Sequence, residues 1–178
     1  MHEIVAAPIS AHAFEPFGDV LLEDAGSLTP WNGRSSAEGV LEKLAAARPA
    51  HDGRHVLTLL ERHVHSTQAF FPLDPEPYLV VTAPDGPEGG PDLQGLVAFV
   101  APAGAVIQYR PGVWHAPMTT LGRSGRFAMH VFKDGSDADC EFLPIPPAAV
   151  RLEAAQRAHV PHPESGPAPT FPTTLIKE

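Results

Sequence analysis

Tyr78-Leu79-Val80-Val81-Thr82-Ala83 runs straight into Pro84-Asp85-Gly86-Pro87. Six aromatic, β-branched or small apolar residues closed by a proline-glycine cluster read as a buried β-strand ending in a turn. The same grammar repeats outward in both directions. Upstream lie His55-Val56-Leu57-Thr58-Leu59-Leu60-Glu61-Arg62-His63 and Ala69-Phe70-Phe71-Pro72-Leu73. Downstream come Leu96-Val97-Ala98-Phe99-Val100, Ala105-Val106-Ile107-Gln108-Tyr109 and Arg126-Phe127-Ala128-Met129-His130-Val131-Phe132. Pro102-Ala103-Gly104 and Arg110-Pro111-Gly112 punctuate them. Short strands at this spacing, with no long helical period between them, predict an all-β domain with antiparallel pairing. The chain's 21 prolines and 15 glycines agree, because both residues break helices and populate turns.

The ends are less regular. Ser10 before Ala11-His12-Ala13-Phe14-Glu15 reads as a capped short helix stopped by Pro16, and Phe17 to Leu22 as a first strand. Residues 24–36 are polar and turn-rich, with Asn32-Gly33 as a sharp turn. From Gly39 to Arg48 the alanines leave helix and strand both open. Pro147 to His159 reads as a short helix with Ala148, Ala149, Leu152 and Ala155 near one face. The expected organisation is one domain over residues 1–160, then a proline-rich arm or tail over 161–178.

Composition narrows the function classes. With 43% hydrophobic and 19% charged residues the chain has material for a core, which argues against global disorder. A net charge of -9 opposes nucleic acid and anionic membrane, although Arg123 and Arg126 are local basic spots for a small carboxylate. The single cysteine, Cys140, cannot form an intrachain disulfide, and no basic-then-apolar leader or span of about 20 apolar residues is present. The expected location is the cytoplasm.

Two stretches carry chemistry. In Glu61-Arg62-His63-Val64-His65-Ser66-Thr67-Gln68, a continuing strand would put Glu61, His63 and His65 on one face, with Gln68 close by. In Gly104 to His115, a strand and a Pro-Gly turn deliver His115. If the strands neighbour each other in a barrel, three imidazoles converge. The two stretches have the order of the cupin half-motifs, so the fold expected is a cupin-type antiparallel β-barrel, a jelly roll, with a few short helices. The metal ligands would be His63, His65, Gln68 and His115, since imidazole and amide donors suit a divalent ion such as Ni, Zn or Mn. The glutamate usual in the first half-motif is replaced by Gln68, so a metal-free pocket is the alternative. His63, Glu61 and His115 are the candidate catalytic groups, with Glu61 equally readable as a solvated strand-end carboxylate. Gln68, Tyr109, Trp114 and Lys133 are the candidate substrate-binding residues, Tyr109 and Trp114 as pocket wall. His130 reads as a satisfied core histidine, Arg62 as structural, and His2, His12, His51, His55, His159 and His162 as solvated. Cys140 has no evident base partner.

Taken together, Leu60-Glu61-Arg62-His63, Thr67-Gln68-Ala69-Phe70-Phe71-Pro72, Tyr78-Leu79-Val80-Val81, Pro91-Asp92-Leu93, Trp114-His115-Ala116-Pro117 and Gly135-Ser136-Asp137 resemble the ureidoglycolate lyase family, over roughly residues 4–146. The resemblance implies a cupin barrel, a homodimer and a small hydroxy-acid substrate. It also implies cleavage of ureidoglycolate to glyoxylate and urea in allantoin and purine breakdown, with a divalent metal such as nickel. His63, Gln68 and His115 match the family's segments; His65 does not. Two further departures are Arg34-Ser35-Ser36, where relatives carry an arginine and a histidine after Asn-Gly, and Phe132-Lys133-Asp134, where relatives show Asp-Arg-Gly. A metal-dependent cupin isomerase or dioxygenase, and a non-catalytic binding cupin, are the competing functions.

Overall fold

The computed structural model describes residues 2–46 and 53–153. In chain order the elements are β1 (His2–Val5), β2 (Ala7–Pro8), α1 (Ala11–Phe14), β3 (Gly18–Leu21), β4 (Glu38–Ala45), β5 (Arg54–Arg62), β6 (Gln68–Pro72) and β7 (Tyr78–Ala83). After a 3-10 turn at Leu93–Gly95 come β8 (Val97–Ala101), β9 (Val106–Tyr109), β10 (Trp114–His115), β11 (Thr119–Thr120), β12 (Arg126–Lys133) and β13 (Glu141–Arg151). Helix α1 is a single turn capped by Ser10, whose Oγ accepts the Ala13 N–H at 3.1 Å.

The strands form two sheets. The larger runs β1-β13-β5-β10-β7-β8-β2, with β11 also on β7; the smaller runs β3-β9-β6-β12-β4. The outer members of the large sheet, β1 and β2, are one stretch of chain divided only by Ala6, so the sheet curls into a nearly closed barrel. The Ala6 N–H donates to the Arg151 carbonyl at 3.0 Å on one side of the join, and the Ile9 N–H to the Val100 carbonyl at 3.0 Å on the other. Pairing is antiparallel except at this join, where β1–β13 and β2–β8 are parallel.

Alternation along β7 shows why both faces are apolar. Leu79, Val81 and Ala83 join a cluster drawn wholly from the large sheet and its connections, including Leu57, Leu60, Trp114 and Val150. Tyr78 and Val80 join a second cluster shared with Phe70, Ile107, Tyr109 and Phe127 of the small sheet. Every residue of β7 is buried, which explains its continuous rather than alternating hydrophobicity. The Tyr78 hydroxyl donates to the Ala105 carbonyl at 2.7 Å, so burial leaves no orphaned donor there.

The helix expected over residues 147–159 is not formed across its first third. Residues 147–151 belong to β13, which pairs antiparallel with β5 and parallel with β1. The spacing of Ala148, Ala149 and Leu152 suggested a helix, but these residues pack on both faces of a strand, and all three are buried. Pro144, Pro146 and Pro147 cannot donate to a ladder, and the β13–β5 register shifts between Pro144 and Ala148. The ambiguous stretch after Gly39 is strand β4, paired with β12 along its whole length. Residues 154–178, with the rest of that helix and the arm expected at 161–178, lie outside the described residues, as do His51, His159 and His162.

Candidate active site

A cavity of about 910 Å³ opens where the small sheet meets the end of β5. Gln68 of β6 and Lys133 of β12 line one side, Glu61 and His63 the other, and the turn from Gly135 to Cys140 forms a rim.

Glu61 and His115 are cross-strand partners in the β5–β10 register, so their side chains leave the same face. His115 is 1% exposed and lies beneath Glu61, with its Nε2 3.3 Å from Glu61 Oε1, within ion-pair reach but without hydrogen-bond alignment. On its other side, His115 Nδ1 is 2.9 Å from the Val113 carbonyl oxygen. A carbonyl only accepts, so Nδ1 carries a proton, and Nε2 is the nitrogen presented to the carboxylate. The ring stacks on Tyr109 at 4.0 Å between centroids, which fixes its plane.

His63 sits just past β5 and is held there by the second chemical stretch. Gly112, at φ +80, donates its N–H to the His63 carbonyl at 2.8 Å. That left-handed conformation suits glycine, and it lets the Arg110-Pro111-Gly112 turn grip the end of β5. The two sequence motifs are thus joined by a main-chain hydrogen bond.

Electrostatics divide the roles. Burial would raise the Glu61 carboxyl, but the His115 imidazole 3.3 Å away and the charge of His63 outweigh burial and hold it below the ordinary carboxylate value. Burial lowers His63 from the ordinary imidazole value, the neighbouring His115 lowers it further, and Glu61 with the Asp139 main chain offset part of this. At neutral pH the site therefore presents an ionised carboxylate and a neutral imidazole side by side. Cys140, also at the rim, is pushed up to about 12, chiefly by burial, so it stays a thiol.

The expected site residues separate into three groups. Glu61, His63, Gln68 and Lys133 line the cavity, and His115 lies directly beneath Glu61. Tyr109 and Trp114 are core residues: Tyr109 backs His115, while Trp114 belongs to the large sheet's own cluster and carries the Arg62 guanidinium 4.2 Å above its ring. Arg62 also pairs with Glu141 at 2.7 Å and with Asp85 at 3.2 Å. His65 departs from expectation. β5 ends at Arg62, so the alternation that would have aligned His65 with His63 stops, and His65 is exposed and outside the cavity lining. His130 does not face the cavity either; its register alternates with the inward Met129 and Val131, and it meets Phe132 edge-on. His55 is half-buried rather than solvated, and burial lowers its imidazole. Arg126 is committed to Asp74 through two side-chain bonds of 2.6 and 2.9 Å.

Without His65, the donors left for a metal are two imidazoles and one amide. Among the described residues no three His, Cys, Asp or Glu side chains are grouped to hold an ion. Zn, Ni and Mn sites use three or four well-placed strong donors, and this set does not fit that pattern. Instead His63 Nδ1, His115 Nε2 and Gln68 Oε1 are buried polar atoms without a hydrogen-bonding partner, available to a substrate.

The rim holds residues that sequence reading passed over. Glu42 of β4 accepts from Lys133 Nζ at 2.7 Å. Arg34 reaches Asp134 at 3.1 Å and Asp139 at 3.4 Å. Nothing in the sequence marks the second cluster as a contact, since its members lie in separate polar turns.

Comparison with known proteins identifies the family. The ureidoglycolate lyase family model matches residues 32–151, which contain both chemical stretches. Among curated proteins, the chain is 31% identical to the ureidoglycolate lyase of Schizosaccharomyces pombe, over 78% of this chain and 90% of that one. It is 34% identical to that of Pseudomonas fluorescens (79% and 90%) and 33% identical to that of Mesorhizobium japonicum (79% and 92%). A dTDP sugar isomerase from Desulfovibrio desulfuricans G20 aligns with a TM-score of 0.42 at 17% identity, covering 70% and 72% of the two chains. With a barrel whose β5 and β10 bring Glu61, His63 and His115 together inside the matched span, the chain belongs to the ureidoglycolate lyase family.

Proposed function

We propose that this protein is a carbon–nitrogen lyase of the amidine-lyase type that splits ureidoglycolate into glyoxylate and urea. The observation that carries the reading is the Glu61–His115 pair beside a neutral His63, on the wall of a cavity with ample room for a small hydroxy acid.

The substrate carbon bears a hydroxyl, a carboxylate and a ureido nitrogen. His63 takes the hydroxyl proton; its lowered basicity keeps it neutral and ready at pH 7. The oxygen's electrons then form the glyoxylate carbonyl as the carbon–nitrogen bond breaks, its electron pair leaving on nitrogen. With His115 protonated at Nε2 and the Glu61 carboxylate 3.3 Å away balancing that charge, the Nε2 proton passes to the departing nitrogen and completes urea. Among the described residues Lys133 is the one lysine or arginine lining the cavity, and it binds the substrate carboxylate in place of Glu42. Gln68 Oε1 accepts from the ureido N–H groups, while its Nε2 is held by Met129 Sδ at 3.1 Å.

This route uses protein groups alone. Elemental analysis for Ni, Zn and Mn on the purified protein, run beside the urea assay, tests that feature separately. Urea release from ureidoglycolate by the purified protein is the direct test, and no release at any metal loading refutes the assignment. The family's likeness and the site's acid–base pairing favour this lyase over an oxygen-using cupin. We further propose that the enzyme works in the cytoplasm as a homodimer. Cell fractionation and light scattering test those two features.

A further inference from the structure

Two segments far apart in sequence meet beside the cavity, the second of them forming its rim. The first is the loop after β3. Asn32 shapes it, donating to the Arg34 and Ala37 carbonyls at 2.7 and 3.2 Å and accepting the Arg34 N–H at 2.9 Å. The loop is stitched to the segment that follows His63: the Gly33 N–H donates to the His65 carbonyl at 2.9 Å, and the Thr67 N–H to the Trp31 carbonyl at 3.0 Å. The second segment is the turn after β12, where Asp139 accepts the Asp134 and Gly135 N–H groups at 3.0 and 2.7 Å. Gly135, Ser136, Asp137 and Asp139 of that turn face the cavity.

One side chain joins the two. Arg34 Nη1 lies 3.1 Å from Asp134 Oδ2 and 3.4 Å from Asp139 Oδ1, and Ser36 Oγ donates to Asp134 at 3.1 Å. The three charged groups are 25%, 13% and 11% exposed, so solvent screens them less than an open surface pair. The guanidinium suits this task, since its Nη1, with two N–H donors, reaches both carboxylates from one point.

We infer that Arg34 is a positioning residue for the reaction: by pairing with Asp134 and Asp139 it holds the 134–140 turn as the cavity wall facing His63. It touches no substrate. Its effect passes through the turn, so its loss would loosen the wall and slow the chemical step while leaving the carboxylate contact at Lys133 in place. The inference rests on the lyase reading for its kinetic consequences, but the latch itself is a property of the fold.

The test uses full-length protein, native and Arg34→Ala, Arg34→Lys and Asp134→Asn. Arg34→Ala is expected to lose about tenfold or more in kcat with KM changed less than about threefold, as misplacement of a catalytic wall costs. Arg34→Lys, which keeps the charge and the donors on one nitrogen but not the planar guanidinium, should recover part of that loss. Amide hydrogen exchange at Asp134 and Gly135 should quicken in Arg34→Ala while β5 and β12 stay protected. A kcat within twofold of native, a lysine variant as impaired as the alanine one, or unchanged exchange in the turn would each overturn the inference. If Arg34→Ala does not fold, Arg34→Lys and Asp134→Asn carry the same comparison at smaller amplitude. A native protein that released no urea would refute the lyase reading, and the exchange experiment would still decide the latch.

Discussion

Replacing Glu61 by glutamine probes the proposed proton source with the least disturbance of shape. The amide fills the carboxylate's volume and removes only its charge. The carboxylate's Oε1 lies 3.3 Å from His115 Nε2, with the Glu61 side chain 16% exposed. At an effective dielectric constant of about 20, a full charge pair at that distance interacts by about 5 kcal/mol, an upper bound that solvent and alignment reduce. Loss of a positioned acid costs about 10²- to 10⁴-fold in rate, or about 3–5 kcal/mol of barrier. On that second figure, Glu61→Gln should lower kcat by at least about 100-fold in a urea-release assay, with a folded protein by circular dichroism. The pH dependence of stability gives an independent check. Glu61 is held below its ordinary value in the fold, so it binds its proton more readily when unfolded. Its contribution is present above about pH 4 and disappears as pH falls through the lowered folded value. The stability gap between native and Glu61→Gln should therefore be level above about pH 5 and close only in acid. A variant with kcat within threefold of native, or a gap that closes at neutral pH, would refute the assignment of the Glu61–His115 pair as the proton donor.

Other groups make distinct forecasts. His63→Gln should abolish the base and cost about 10²-fold or more in kcat. In the native enzyme the acid limb of kcat/KM should lie below the ordinary imidazole value of about 6.5, because burial and His115 lower His63; an acid limb above it would contradict the role. Lys133→Ala should raise KM about tenfold or more while kcat changes little, and an unchanged KM would remove Lys133 from carboxylate binding. Gly112→Ala meets no atom within 4 Å, so its effect is backbone strain at φ +80, worth about 1–2 kcal/mol, with a fall in Tm of a few degrees. Because the Gly112 N–H holds His63, activity should fall with it; a variant that matches native in both Tm and kcat would break that link.

How much of this was legible in the residues depends on range. The strands around Tyr78 were readable because local composition and turn chemistry agree, and burial on both faces left an unbroken apolar run. The join of β1 and β2 was not readable: seven residues of mixed polarity become strands only because β13 and β8 offer edges to them. β13 failed for the opposite reason. Its alanines satisfy helical spacing, and the competing partner, β5, lies some 90 residues earlier, beyond the reach of any local pattern. The site divides the same way. Glu61 and His63 were found by proximity in sequence, and His115 by its own turn. His65 misled because strand alternation was extended past Arg62, where the chain turns away to pair Asn32 with Ser66.

The same reasoning explains why the rim could not be anticipated. Glu61 and His115 each lie in a strand or turn stretch that local sequence marks, and register then sets them opposite each other. A salt-bridged rim leaves no such mark: Arg34 and Asp139 are 105 residues apart and sit in turns whose own sequences ask only for polarity. Only the fold sets the two turns face to face. In the loop after β3 and the turn after β12, a guanidinium and two carboxylates close the wall opposite His63, while the chemistry beneath it keeps the family's Glu-Arg-His and Trp-His segments.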